Sequence, residues 1–218
     1  MNTQVLTNPK TSVLSDRQKS SEIFYPETDN KPMAETDKHR ELITELIKSL
    51  EDFFSNQADV YVTGNIMVYY ESGNMRKSVA PDVMIVSGAD KRARRIFKIW
   101  EEKTPSVVFE ISSHSTALED LNRKFRLYQK LGIQEYYIFD PDYSYLETPL
   151  IAFRLSDGEY EESEIVENEV FSPSLGLEIV NTGETLRLRN PQTNEFLLTR
   201  EDLKNRIAEL EELLREQK

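Results

Sequence analysis

Two rhythms of apolar and polar positions run along this chain. Between about Asp37 and Phe54, the residues Leu42, Ile43, Leu46, Ile47, Leu50, Phe53 and Phe54 recur at helical spacing. Thr36 or Asp37 is placed to cap the helix they predict, and His39 falls on its apolar face, where it reads as a core histidine. Runs rich in β-branched and aromatic residues follow. VYVTGNIMVYYE (60–71) predicts two strand segments bent near Gly64, and VAPDVMIVS (79–87), PSVVFEISS (105–113) and IQEYYIFDP (133–141) predict one strand each. Residues 88–105 read as a basic loop with a short helical turn. Residues 113–132 read as a helix capped by Ser115 or Thr116 and closed by Gly132. Beyond it come a hairpin over 150–166 turning at Asp157-Gly158 and short β elements within 172–190. A final helix carries Leu203, Ile207, Leu210 and Leu214 at 4-3-4 spacing.

Three charged residues break these patterns. Glu110 sits inside VVFEI, where an ionised carboxylate is costly unless it faces solvent or meets a positive partner. Asp82 heads an apolar strand directly after Pro81, a place where an aspartate alone reads as a turn residue. If the two strands are neighbours, both carboxylates converge at one end of a sheet, and paired carboxylates are how proteins hold Mg²⁺. The third is Lys124. At about 100° per residue it falls in the arc of Leu118, Leu121, Phe125, Tyr128 and Leu131, with Asp120 on the same side one turn earlier. One reading is a partly buried Asp120–Lys124 pair with a snorkelling stem. The other is a lysine aimed at the strand of Glu110, able to position a water and stabilise a phosphorane-like transition state.

Composition narrows the field. The 218 residues contain no cysteine, which removes disulfides and thiolate chemistry and suits a cytoplasmic setting. Formal net charge is −12, against a generic nucleic-acid coat, yet residues 75–130 carry 12 Lys and Arg against 7 Asp and Glu. Lys91, Arg92, Arg94 and Arg95 in that stretch are candidates to contact a phosphate backbone. No apolar run reaches the roughly 20 residues of a membrane span, and the first 22 residues have no signal-peptide core. His39 and His114 lack a zinc spacing. The expected organisation is a disordered tail (1–22), a domain (23–198) and a C-terminal helix (199–218) whose short leucine stripe either packs back on the domain or pairs two copies into a dimer.

PSVVFEISSHSTALEDLNRKFRLYQKLGIQEYYIFDP, with APDVMIV upstream, resembles the Uma-two family of the restriction-endonuclease-like, PD-(D/E)XK superfamily. The motif order is a PD, an apolar strand ending in Glu, D-x-x-x-K-x-x-x-Y on a helix, and E-Y-x-x-x-D-P. The resemblance implies an α/β fold, a mixed sheet flanked by helices. It implies endonuclease activity on DNA with Mg²⁺, or Mn²⁺, held by Asp82, Glu110 and the Ile111 backbone carbonyl. The superfamily's usual lysine would fall at Ser112, so its water-orienting role would pass to Lys124. Glu35 would match an acid that related nucleases contribute from the first helix. The alternative is a non-catalytic binding or assembly module that keeps the nuclease fold.

Overall fold

A computed structural model describes residues 23–28 and 36–216; the tail expected over 1–22 and Glu35 lie outside the described residues. The chain opens with α1 (Asp37–Phe53). Thr36 caps it, its side-chain oxygen accepting the His39 amide at 3.2 Å. Five strands follow: β1 (Val60–Thr63), β2 (Met67–Tyr69), β3 (Ser78–Val79), β4 (Val83–Ser87) and β5 (Ile96–Lys98). After β6 (Val107–Ile111) the expected helix forms as three joined pieces: α2 (Ala117–Glu119), a π-helical turn (Asp120–Lys124) and α3 (Phe125–Leu131). It ends at Gly132, which adopts the left-handed φ of 76° that closes a helix. The remaining elements are β7 (Glu135–Phe139), β8 (Leu150–Ser156), β9 (Glu159–Glu162), β10 (Glu169–Ser172), β11 (Leu177–Asn181), β12 (Leu186–Asn190), β13 (Glu195–Phe196) and α4 (Arg200–Glu216).

The central sheet has the order β1-β4-β6-β7-β8-β9 and is mixed. β6 and β7 run parallel, as the intervening helical crossover requires, and the other pairs are antiparallel. Alternation along β6 sorts its side chains. Val107, Phe109 and Ile111 join the core beneath α1, while Val108 joins the core beneath α3. Both faces of β6 are therefore covered, which explains its unbroken apolar reading. The bend expected near Gly64 carries the chain from β1 into a separate three-stranded sheet of order β3-β2-β5. A Cβ at Gly64 would come within 1.9 Å of the Asp82 carbonyl, so only glycine lets the chain pass there. β10 to β13 form a third, antiparallel sheet packed on the α1 side.

One expectation needs correction. Residues 88–105 contain β5 instead of a helical turn; Phe97 of β5 is fully buried between Tyr61 and the α3 side of the core. The C-terminal helix is present, but none of its residues is buried, and Leu203, Ile207, Leu210, Leu213 and Leu214 stand exposed.

Past β7, the buried Asp140 accepts the amides of Asp142, Ser144, Tyr145 and Leu146 and shapes the loop into β8. Burial opposes its charge, but those amides prevail and hold the carboxyl below the usual aspartate value. Asp140→Ala is expected to lower stability by about 2 kcal/mol in urea unfolding at pH 7. Because the folded carboxyl is depressed, its contribution is present above the unfolded value and disappears as pH falls through the folded one, so the gap between variant and wild type narrows in acid.

Candidate active site

The β4–β6 register pairs Val83 with Phe109, which brings Asp82 and Glu110 level with each other at one end of the sheet. The two acids clasp each other's strands. The Ile111 amide donates to Asp82 Oδ2 at 2.8 Å, and the Asp82 amide approaches Glu110 Oε2 at 3.4 Å. Glu110 shares the face of Val108, away from α1, and there it meets the crossover helix. Tyr128 donates its hydroxyl to Glu110 Oε1 at 2.5 Å, and Lys124 Nζ lies 2.8 Å from Oε2.

The π turn delivers that lysine. A π turn takes in one residue more than an α turn, and such turns occur frequently at functional sites. Here it holds Asp120 and Lys124 on the inner side together with Tyr128 of α3. Lys124 Nζ also contacts Asp120 Oδ1 at 2.9 Å, so the Asp120–Lys124 pair and the Lys124–Glu110 contact coexist. Ser112, where the resemblance would place a lysine, donates its hydroxyl to Asp120 Oδ2 at 2.8 Å. The serine thus supports the ion-pair partner of Lys124.

Glu110 and Asp120 are fully buried; the Asp82 and Lys124 side chains keep 15% and 11% exposure and form the mouth of the site. Burial drives the Glu110 carboxyl well above the ordinary glutamate value; Lys124 opposes this, while Asp82 and Asp120 add to it. Burial likewise pushes Asp82 up to about 6, against Lys124 and the Ile111 amide. Burial alone would lower Lys124, but Glu110, Asp120 and Asp82 outweigh it and hold the ammonium charged. Burial, with Glu110 next, raises Tyr128, whose hydroxyl remains a donor.

Were all ionised, three carboxylates and one ammonium would leave two negative charges uncompensated; burial first, and repulsion from the neighbouring acids after it, raises Glu110 and Asp82. Among the described residues no three His, Cys, Asp or Glu side chains form a ready-made metal cage. The donor chemistry nevertheless fits a hard divalent cation: two carboxylates and the Ile111 carbonyl at one edge, with two charges to balance.

Sequence reasoning read His39 as core. It is buried, but its Nε2 faces the Ile111 carbonyl oxygen and lies 3.8 Å from Asp82 Oδ2. Its place in the first turn, directly beneath the Thr36 cap, was the available signal. Each cation of the basic stretch has a partner within the chain, although Lys91, Arg92 and Arg95 remain exposed. Lys91 donates to the Phe54 and Ser55 carbonyls, Arg92 and Arg94 pair with Asp90 and Glu102, Arg94 lies 4.2 Å over the Tyr61 ring, and Arg95 pairs with Glu27.

In metal-free protein, Asp82→Asn is expected to be stabilising. Between the unfolded value near 4 and the folded value of about 6, the native state binds the extra proton, so wild-type stability falls as pH rises through that window. Urea midpoints with chelator should show the variant ahead by about 2 kcal/mol at pH 7, with the gap shrinking toward pH 4.

No curated protein matches the chain. Among solved structures it is similar to one described as "a putative nuclease belonging to DUF820" from Anabaena variabilis ATCC 29413. The two are 20% identical, with a TM-score of 0.49 over 66% of this chain and 76% of that one. The family model described as "Putative restriction endonuclease", Uma2, matches residues 18–186, well over half of the 218, and the chain belongs to the Uma2 family.

Proposed function

We propose that this protein is a metal-dependent endonuclease that hydrolyses phosphodiester bonds in DNA. The observation that carries the reading is the Lys124 ammonium, held between Glu110 and Asp120 beside Asp82 at the end of the sheet. Membership of the Uma2 family supports it as well.

In this reading Asp82 and Glu110, with the Ile111 carbonyl, hold Mg²⁺. When bound, the ion supplies charge neutralisation at the scissile phosphate and lowers the pKa of a water. Asp82, at the mouth, is the carboxylate that substrate would approach. Glu110 works from inside, oriented by the Tyr128 hydroxyl at 2.5 Å. Lys124 has three ammonium protons. Glu110 and Asp120 are its ion-pair partners, and the ammonium keeps a proton with which to orient a water or a phosphate oxygen at the mouth. Asp120 acts on Lys124 and not on substrate: it fixes the ammonium position and is itself fixed by Ser112. The overall charge of −12 repels a polyanion, so substrate affinity must come from this local positive chemistry.

A second reading takes the same cluster as purely structural, and the complete burial of Glu110 favours it. Plasmid and single-stranded DNA incubated with Mg²⁺ or Mn²⁺ separate the two. Wild type is expected to cleave, and Lys124→Ala and Glu110→Gln to lose about 100-fold or more in rate while retaining native circular dichroism. Cleavage undiminished in Lys124→Ala would remove the lysine from the mechanism. Absence of cleavage in wild type, with metal binding also absent by calorimetry, would leave the structural reading.

A further inference from the structure

His39 is placed differently from the other residues of the α1 face. Leu42, Ile43, Leu46 and Leu50 pack into the core on β1 and β4. His39, in the first turn, instead directs Nε2 at the Ile111 carbonyl oxygen with Asp82 Oδ2 3.8 Å away. A buried histidine usually has both ring nitrogens engaged, and the bond at one nitrogen fixes which atom carries the proton. Here Nδ1 is buried and has no hydrogen-bond partner among the described residues. The contact with the Ile111 carbonyl places the proton on Nε2. Ligation through Nε2 moves that proton to Nδ1 and gives up the hydrogen bond to the Ile111 carbonyl, a loss that a bound cation has to offset. Nε2 then presents a lone pair beside the Ile111 carbonyl oxygen and 3.8 Å from Asp82 Oδ2. A cation among these donors relieves the repulsion between their lone pairs.

We infer that His39 is a ligand of the divalent cation at this site, contributed by α1, and that its nitrogen shifts the preference of the site toward first-row transition ions over Mg²⁺. The inference rests on the reading of Asp82 and the Ile111 carbonyl as metal ligands. Mg²⁺ favours oxygen donors and keeps much of its water, whereas imidazole nitrogen suits the later transition ions and is accepted by Mn²⁺. α1 joins the site through this nitrogen at a position set by the Thr36 cap, independently of Glu35.

Calorimetry with Mg²⁺, Mn²⁺ and Co²⁺ separately, on full-length wild type, His39→Gln and Asp82→Asn, tests the inference. Pulsed electron paramagnetic resonance of the Mn²⁺-loaded samples is read alongside, and thermal unfolding checks that each variant folds. Wild type is expected to bind Co²⁺ and Mn²⁺ at least about tenfold more tightly than Mg²⁺. His39→Gln should lose most of that margin while holding Mg²⁺ within about threefold, and a nitrogen coupling on bound Mn²⁺ should be present in wild type and absent in His39→Gln. If Mn²⁺ binds to wild type and is lost in Asp82→Asn, but shows no nitrogen coupling and no response to His39→Gln, the metal site stands and His39 is not its ligand. If wild type binds none of the three ions, the metal reading falls and this inference falls with it. Should His39→Gln fail to fold, the coupling on wild-type Mn²⁺ decides alone.

Discussion

One ammonium surrounded by carboxylates in a dry interior sets the terms for this end of the molecule. Lys124 touches Glu110 and Asp120 at under 3 Å, with Asp82 near enough to add to its field. Taking such charges out of water costs several kcal/mol each, and only close pairing offsets it. The surroundings therefore exist to keep the distances short. Ser112 fixes Asp120, Tyr128 fixes Glu110, the Tyr136 hydroxyl donates to the Asp120 carbonyl at 3.1 Å, and the Ile111 amide fixes Asp82. The cluster holds more acids than its one ammonium can pair, and that imbalance separates it from an ordinary buried salt bridge.

Other buried acids in the same fold show the contrast. Asp140 accepts four backbone amides and is held low. Glu135, also buried, accepts the Ser174 amide at 2.9 Å and the hydroxyls of Tyr137 and Ser172, tying β7 to the third sheet. Both belong to the E-Y-x-x-x-D-P run and are satisfied by neutral donors from their own chain. Glu110 and Asp82 are pushed up instead. A carboxylate whose acceptor capacity is filled by amides is part of the scaffold. One held above its usual value beside another acid is stressed chemistry, and such groups cluster at functional sites.

Much of this was readable from residue order because the unusual positions contradict strong local patterns. Glu110 interrupts a run of four apolar residues, and Lys124 violates a helical face; each contradiction survives any small error in element boundaries. The convergence of Asp82 with Glu110 needed only neighbouring strands. Other features depend on contacts distant in sequence. The role of His39 requires the approach of α1 to the end of β6, 72 residues apart. Ile96–Lys98 is too short to announce a strand without its parallel partner β2. The cations at 91–95 look free in a linear reading because Glu102, Glu27 and the end of α1 come near them only in the folded chain. The π turn is not announced by residue order, and it offsets the helix face before it from the face after it: Leu118, which regular winding puts on the apolar arc, is exposed.

That widened turn has a consequence for how the protein tolerates changes in length. A helix with one surplus residue can give it up and return to regular 3.6-fold winding, so α3 would keep Phe125, Tyr128 and Leu131 against the sheet after a single deletion within 120–124. The scaffold would survive, while the spacing that lets one lysine reach both Glu110 and Asp120 would be gone. Chain length at this turn is thus a dial for the charge cluster alone, and shortening it by one residue separates architecture from chemistry in a single step.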